Sequence, residues 1–276
     1  MKLKDTMSNP ESPAGPAPQI LTCDDGTVLA YYKTETGKAS AEEGPALPGL
    51  VFLGGFMSDM TGTKAVTLEA FAQARGLGFL RFDYRGHGAS PGRFEDGTIG
   101  GWLADTLAVL DGLTEGPQIL IGSSMGGWIA MLAALARPQR VAGLLGIAAA
   151  PDFTEYLIQA RTTDALRAQM ARDGYVLYPS AYSEEPYVIT MRLIEEAREH
   201  LLLDKPIPLT CPVRLVQGMK DPDVPWQTTL KLCEALESED VELTLVKNAG
   251  HRLSEPEELA LIQRTLAALI ERCRPR

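Results

Sequence analysis

The chain has 276 residues, 45% of them hydrophobic, and carries a formal net charge of −10 with a pI near 4.9. That hydrophobic content excludes a disordered chain, and the length suits one α/β domain with room for an insertion. An acidic surface repels nucleic acid and anionic membrane, so neither is expected as a partner.

Residues 1–18 are rich in Pro, Ser, Gly and Ala and read as a flexible tail. The tail lacks the apolar core of a secretory signal, has no arginine, and carries Asp5 and Glu11; the chain is therefore read as cytoplasmic. Two strands follow, "QILTC" and "TVLAYYK", joined at Asp25-Gly26, a strong hairpin signal. After a polar stretch from Gly37 to Gly49 the pattern alternates. "GLVFLGG" reads as a buried strand, "AVTLEAFAQARG" as a helix stopped at Gly76, and "GFLRFDYRG" as the next strand. "GGWLADTLAVLDGLTEG" puts Trp102, Leu103, Leu107 and Leu110 on one helix face. "QILIG", "MGGWIAMLAALARP" and "VAGLLGIAAA" continue as strand, helix and strand. This order predicts an α/β fold with a mostly parallel sheet and helices on both faces.

The alternation breaks after Pro151. Residues 152–205 contain the helical pieces "RTTDALRAQMARDG" and "ITMRLIEEAREHLLL" around the tyrosine-rich "GYVLYPSAYSEEPY", with little strand character. The segment is too long for a connection and reads as a lid inserted after the sixth strand. Leu166, Met170, Ile189 and Leu193 are its apolar residues that need a surface to cover. "CPVRLVQG", "TTLKLCEALE", "VELTLVKN" and "PEELALIQRTLAALIERC" then resume the pattern, so residues 19–151 and 206–276 make the core.

Cys23, Cys211, Cys233 and Cys273 form no C-x-x-C pair, which argues against zinc and against a disulfide scaffold; they read as reduced thiols. The longest apolar run, around Leu144 to Ala150, is strand-sized, so no stable membrane insertion is expected. No phosphate loop, metal-ligand set or dinucleotide fingerprint is present, and neither a metal nor a cofactor is expected.

Gly122-Ser123-Ser124-Met125-Gly126 fits G-x-S-x-G with Ser124 at its centre, between a predicted strand and a predicted helix. A sharp turn there exposes a serine hydroxyl, and glycines at 122 and 126 leave room for it. A serine needs a base, and the base an orienting acid. Of three histidines, His200 lies in a charged helix and is expected to face solvent, and His87 precedes the serine. His251, in "NAGHRLSEP", stands after the last strand and completes the order Ser…Asp…His. Asp221 in "GMKDPDVPW" is the expected acid, with Asp223 as a turn carboxylate and Asp152, after the sixth strand, as the outside candidate. The Met125 N–H, at a helix N-terminus, and the Phe56 N–H, in "LGGFMSDM", are the expected oxyanion donors. Phe56, Met57, Met60, Met125 and Trp128, with Phe153, Tyr156 and Leu157 from the lid, are expected around the site as an adaptable apolar pocket. Met57, Trp128 and Phe153 are the expected substrate contacts; ordinary core packing is the competing explanation for each.

The elbow, "RFDYRGHGAS", "GMKDPDVP" and "AGH" together resemble the α/β-hydrolase superfamily over residues 20–272. "GTKA", "GPQILIGSSMGGW", "YSEE" and "IPLTCPVRL" extend the resemblance to the mitochondrial palmitoyl-protein thioesterases of the α/β-hydrolase domain-containing proteins, which also hydrolyse acyl glucuronides. The resemblance implies Ser124, Asp221 and His251 as a triad. It also implies a serine hydrolase acting on a small-molecule acyl ester or an S-acylated protein. A general carboxylesterase and a non-catalytic ligand-binding protein on the same scaffold are the alternatives. The first would do without a thioester substrate, and the second has no need to keep all three residues.

Overall fold

A computed structural model of the chain describes residues 17–36, 47–155, 162–178 and 186–275. Residues 1–16 of the expected tail, and Tyr156 and Leu157, lie outside the described residues.

Eight strands form one sheet. They are β1 (Gln19–Thr22), β2 (Val28–Thr34), β3 (Gly49–Leu53), β4 (Phe79–Phe82), β5 (Gln118–Ser123), β6 (Val141–Ile147), β9 (Val213–Gly218) and β10 (Val241–Val246). Their order is β1-β2-β4-β3-β5-β6-β9-β10. The hairpin β1-β2 is antiparallel and β2 runs antiparallel to β4. Every pairing from β4 to β10 is parallel, with Val51 opposite Leu80 and Leu120, and Ile147 opposite Val216.

The central strands are buried on both faces, which is why "GLVFL" and "QILIG" are continuous apolar runs rather than alternating ones. Successive residues serve opposite layers. Val51, Leu53 and Leu120 pack with α2 (Ile99–Leu113), α3 (Met125–Ala136) and α6 (Trp226–Ala235). Leu50, Phe52, Ile119 and Ile121 pack with α1 (Thr63–Gln73) and α7 (Pro256–Arg272). The crossovers put the C-terminal ends of β3, β5, β9 and β10 along one edge, where a ligand site forms in open α/β sheets.

The insertion after β6 is partly stranded, which corrects the expectation of little strand character. Helix α4 (Asp164–Asp173) is capped by the Thr163 hydroxyl and ends at Gly174, whose φ of 76° suits a residue without a Cβ. It feeds β7 (Tyr175–Tyr178), which pairs antiparallel with β8 (Tyr187–Thr190). Tyr-Val-Leu-Tyr and Tyr-Val-Ile-Thr are aromatic and β-branched, and that chemistry prevails over the helical spacing read across Ile189 and Thr190. Thr190 instead caps α5 (Met191–Ala197), its hydroxyl accepting the Leu193 N–H.

Asp152 closes the insertion at its base. It is fully buried, and its carboxylate accepts the Leu202 N–H at 2.9 and 3.0 Å and the Leu203 N–H at 2.7 Å. His200 does not project freely into solvent as expected. Its ring meets Glu196 at 3.0 Å, and its carbonyl accepts the Trp128 indole N–H at 3.0 Å. Among the described residues no helix is long and apolar enough to cross a membrane.

Candidate active site

Ser124 stands between β5 and α3 with φ 54° and ψ −120°, a conformation that costs a non-glycine residue about 1–3 kcal/mol. The turn is held by the Ser124 N–H on the Ile147 carbonyl, and by the Gly127 and Ala150 N–H groups on the Ser124 carbonyl. A Cβ at Gly122 would strike the Gly126 carbonyl, and one at Gly126 would strike the carbonyls of Leu53 and Gly54. Only glycine therefore allows the chain to turn this sharply against β3.

His251 lies between β10 and α7. Its Nε2 is 3.1 Å from Ser124 Oγ, and its Nδ1 is 2.8 Å from Asp221 Oδ2. An ionised carboxylate only accepts, so the Nδ1 carries the proton and Nε2 is left to accept from the serine hydroxyl. The Asp221 side chain is fully buried. Oδ1 accepts the Asp223 and Val224 N–H groups, and Oδ2 accepts the Gln217 amide at 2.9 Å. Burial works to raise the Asp221 pKa; the hydrogen bond and charge of His251 and the two backbone donors outweigh it and hold the carboxyl below its ordinary value. Asp221, Asp223 and His251 offer ligand atoms within 4.8 Å of one another, as metal sites do, but here Asp221 is committed to these donors.

Gln217 was not singled out from the sequence. It is fully buried in β9, where its amide also reaches the Val224 carbonyl and its oxygen accepts the Thr229 hydroxyl at 3.0 Å. The signal was one amide side chain after the apolar Leu215-Val216 of the strand "RLVQG", since a buried amide demands partners.

Met125 is the first residue of α3, so its N–H has no intrahelical partner. Phe56 follows Gly55, where an added Cβ would stand 3.3 Å from Ser124 Cβ. Among the described residues no acceptor takes the Phe56 N–H. The Phe56 ring is met edge-on by Phe94 at 4.7 Å, Phe153 at 5.6 Å, Tyr187 at 5.9 Å and Trp102 at 6.0 Å.

Ser124 and His251 open into a cavity of about 640 Å³. Its lining includes the apolar and aromatic Phe56, Met125, Phe153, Tyr178, Tyr187 and Ile189, and the charged Asp59, Lys64, Asp223 and Arg252. Met57 and Phe153 line it. Trp128 does not, which corrects its expected substrate contact. It is fully buried, edge-on to Phe153 at 5.7 Å, and acts as a backing to that ring. Nearness to Ser124 in the sequence placed Trp128 by the site without saying which layer its ring meets. Of the residues of the insertion expected to cover the pocket, Ile189 lines it, whereas Met170 and Leu193 are buried in the same hydrophobic cluster as Trp102 and Trp128. Trp128→Ala is expected to lower stability by about 3–5 kcal/mol, read by thermal or denaturant unfolding.

Known proteins supply an independent comparison. The model of the alpha/beta hydrolase family matches residues 50–260. The chain is 41% identical over 245 residues to the mitochondrial palmitoyl-protein thioesterase ABHD10 of Homo sapiens, covering 88% of this chain and 77% of that protein. The structure of alpha/beta hydrolase domain-containing protein 10 from mouse superposes with a TM-score of 0.84 at 38% identity, covering 94% of this chain and all of that one. A crystal structure from Agrobacterium vitis S4 superposes with a TM-score of 0.86 at 42% identity, over 93% of this chain and all of that one. With its strand order, its turn at Ser124 and a family match across most of its length, this chain belongs to the alpha/beta hydrolase family.

Proposed function

We propose that this chain is a serine hydrolase that cleaves thioesters or esters of apolar acyl groups through an acyl-enzyme on Ser124. The observation that carries the proposal is the line of hydrogen bonds from Asp221 through His251 to Ser124, ending at the cavity and its apolar residues. Ser124 Oγ attacks the acyl carbon while His251 Nε2 takes its proton. The Phe56 and Met125 N–H groups face the oxyanion that forms. Collapse expels the thiol or alcohol, protonated by His251. Water then attacks the acyl-enzyme with His251 again as base, releasing the acid and restoring Ser124.

The names of the thioesterase relatives support a thioester, and an S-acylated protein or small acyl ester is the substrate class proposed. Residues 152–205 are proposed as the lid, since Phe153, Tyr178, Tyr187 and Ile189 come from that segment. A reducing compartment, as in the cytoplasm, suits the four free thiols; the relatives' name says mitochondrial.

The test is a matched panel of thioesters and oxygen esters, run from acetyl to long acyl chains, with acyl glucuronides included. Each methylene buried against the apolar residues of the cavity is worth about 0.8 kcal/mol. The expected result is a kcat/KM that rises with chain length until the cavity ends, and a flatter rise in Phe153→Ala. Best activity on acetyl oxygen esters, with Phe153→Ala indistinguishable from wild type, would make the chain a general carboxylesterase instead.

A further inference from the structure

The motif "RFDYRGHGAS" contributes no residue to the hydrogen-bonded line at Ser124, yet it grips the loop that carries Phe56. That loop leaves β3, turns at Gly55–Ser58 and reaches Met60. The turn is closed by the Ser58 N–H and hydroxyl, both on the Gly55 carbonyl, at 3.2 and 2.8 Å. Met57, at its corner, has a φ of 52°, so the turn is held in a form it would not keep alone. The grip comes at Met60, which is 3% exposed. Its N–H donates to Asp83 Oδ1 at 2.7 Å, and its carbonyl accepts Arg81 Nη1 at 2.9 Å.

Both gripping residues are themselves fixed. Arg81 is ion-paired to Glu69 on α1 at 2.9 Å and lies over the Tyr32 ring at 4.2 Å. The second Asp83 oxygen accepts the Ala89 N–H at 2.8 Å, and the Asp83 carbonyl accepts the Ser90 hydroxyl, which takes the Ala30 N–H. A Cβ at Gly88 would fall on the Asp83 carboxylate, which accounts for the glycine there. Two side chains from the β4 exit thus hold the peptides on both sides of Met60, four residues beyond Phe56.

We infer that Arg81 and Asp83 are positioning residues for the oxyanion donor: they fix Met60 and so aim the Phe56 N–H at the acyl carbonyl. The inference rests on the assignment of Ser124 and Phe56 made under Proposed function. An oxyanion donor must meet charge that exists only in the transition state, so a loosened loop lowers kcat and leaves KM.

The experiment compares Glu69→Gln, the double variant Arg81→Met with Glu69→Gln, and Asp83→Asn. The double variant removes the Met60 contact without leaving a lone buried carboxylate. Asp83→Asn keeps one acceptor where two are needed. Rates are expressed per Ser124 titrated with a fluorophosphonate, so partly folded protein does not enter. The double variant and Asp83→Asn are expected to lose roughly 10- to 100-fold in kcat with KM within about threefold of wild type. An alkyl boronic acid, whose tetrahedral adduct fills the oxyanion position, is expected to bind at least about tenfold more weakly to both. Glu69→Gln, which keeps Arg81 on Met60, is expected to stay within about threefold in kcat. Unchanged kcat in the titrated double variant and Asp83→Asn would overturn the inference. So would an equal loss in Glu69→Gln, which would trace the effect to the ion pair, or a rise in KM with kcat intact. Turnover that survives Ser124→Ala would instead overturn the proposed function.

Discussion

Ser124→Ala is expected to lower kcat by about 10⁴-fold or more, because no acyl-enzyme can form. Ser123→Ala is expected to cost far less, although the two serines are adjacent and both border the cavity. The distinction is geometric. Ser123 is the last residue of β5, paired in register with Ile147, and it is 8% exposed. Ser124 leaves the strand with a positive φ, and its hydroxyl is the one 3.1 Å from His251 Nε2. A fluorophosphonate probe followed by peptide mapping checks the assignment without a substrate in hand. Label on Ser124 is the expected result; label on Ser123 would sink the assignment of the nucleophile.

Asp221→Asn carries the second large effect, a fall in kcat on the order of 10³ to 10⁴-fold. The amide can present its NH2 to His251 Nδ1, which favours the tautomer whose Nε2 bears a proton and cannot take one from Ser124. Asp223→Asn and Asp152→Asn are expected to stay within about tenfold. Asp152 has its oxygens on Leu202 and Leu203 and serves the base of the insertion instead. A larger kcat loss at Asp152 than at Asp221 would move the acid to the end of β6.

The same residue gives a stability test with a definite sign. The folded-state pKa of Asp221 is lowered, so its carboxylate adds stability above the unfolded value, about 3.9, and that contribution disappears as pH falls through the folded value. Wild type is therefore expected to exceed Asp221→Asn in unfolding temperature at neutral pH, with the gap closing in strong acid. A gap independent of pH would show that the carboxylate charge is not its source.

The sequence exposed the parts of this molecule whose signals are local. Strands and helices of the core follow from apolar runs and their Gly and Pro boundaries. Ser124 follows from glycines at fixed offsets, and His251 and Asp221 from chain order. What escaped depends on layers and partners far along the chain. Trp128 stands close to Ser124 in the sequence, but whether its ring met substrate or Phe153 required the third dimension. His200 lay in a charged stretch, and only its distance to Trp128, 72 residues away, explains its position. Arg81 and Asp83 belonged to a motif that marked the family, while Met60, which they hold, lies 21 and 23 residues earlier. The strands β7 and β8 were hidden because helix-forming residues surround two short aromatic runs.

The Asp152 contacts tie the two ends of the insertion together. Their hydrogen bonds join residues 50 and 51 positions apart, so the segment leaves and re-enters the core through one knot. Closing a loop costs little more as it lengthens, about 0.6 kcal/mol for each doubling. Residues added or lost beyond that knot draw on the closure entropy of the loop and leave the register of β6 on β9 alone. Length can therefore vary in the exposed part of the segment, while Met170, Ile189 and Leu193 in the core cluster, and Glu196, which accepts the Gly100 N–H, tie the rest of it to the frame that aligns Ser124, Asp221 and His251.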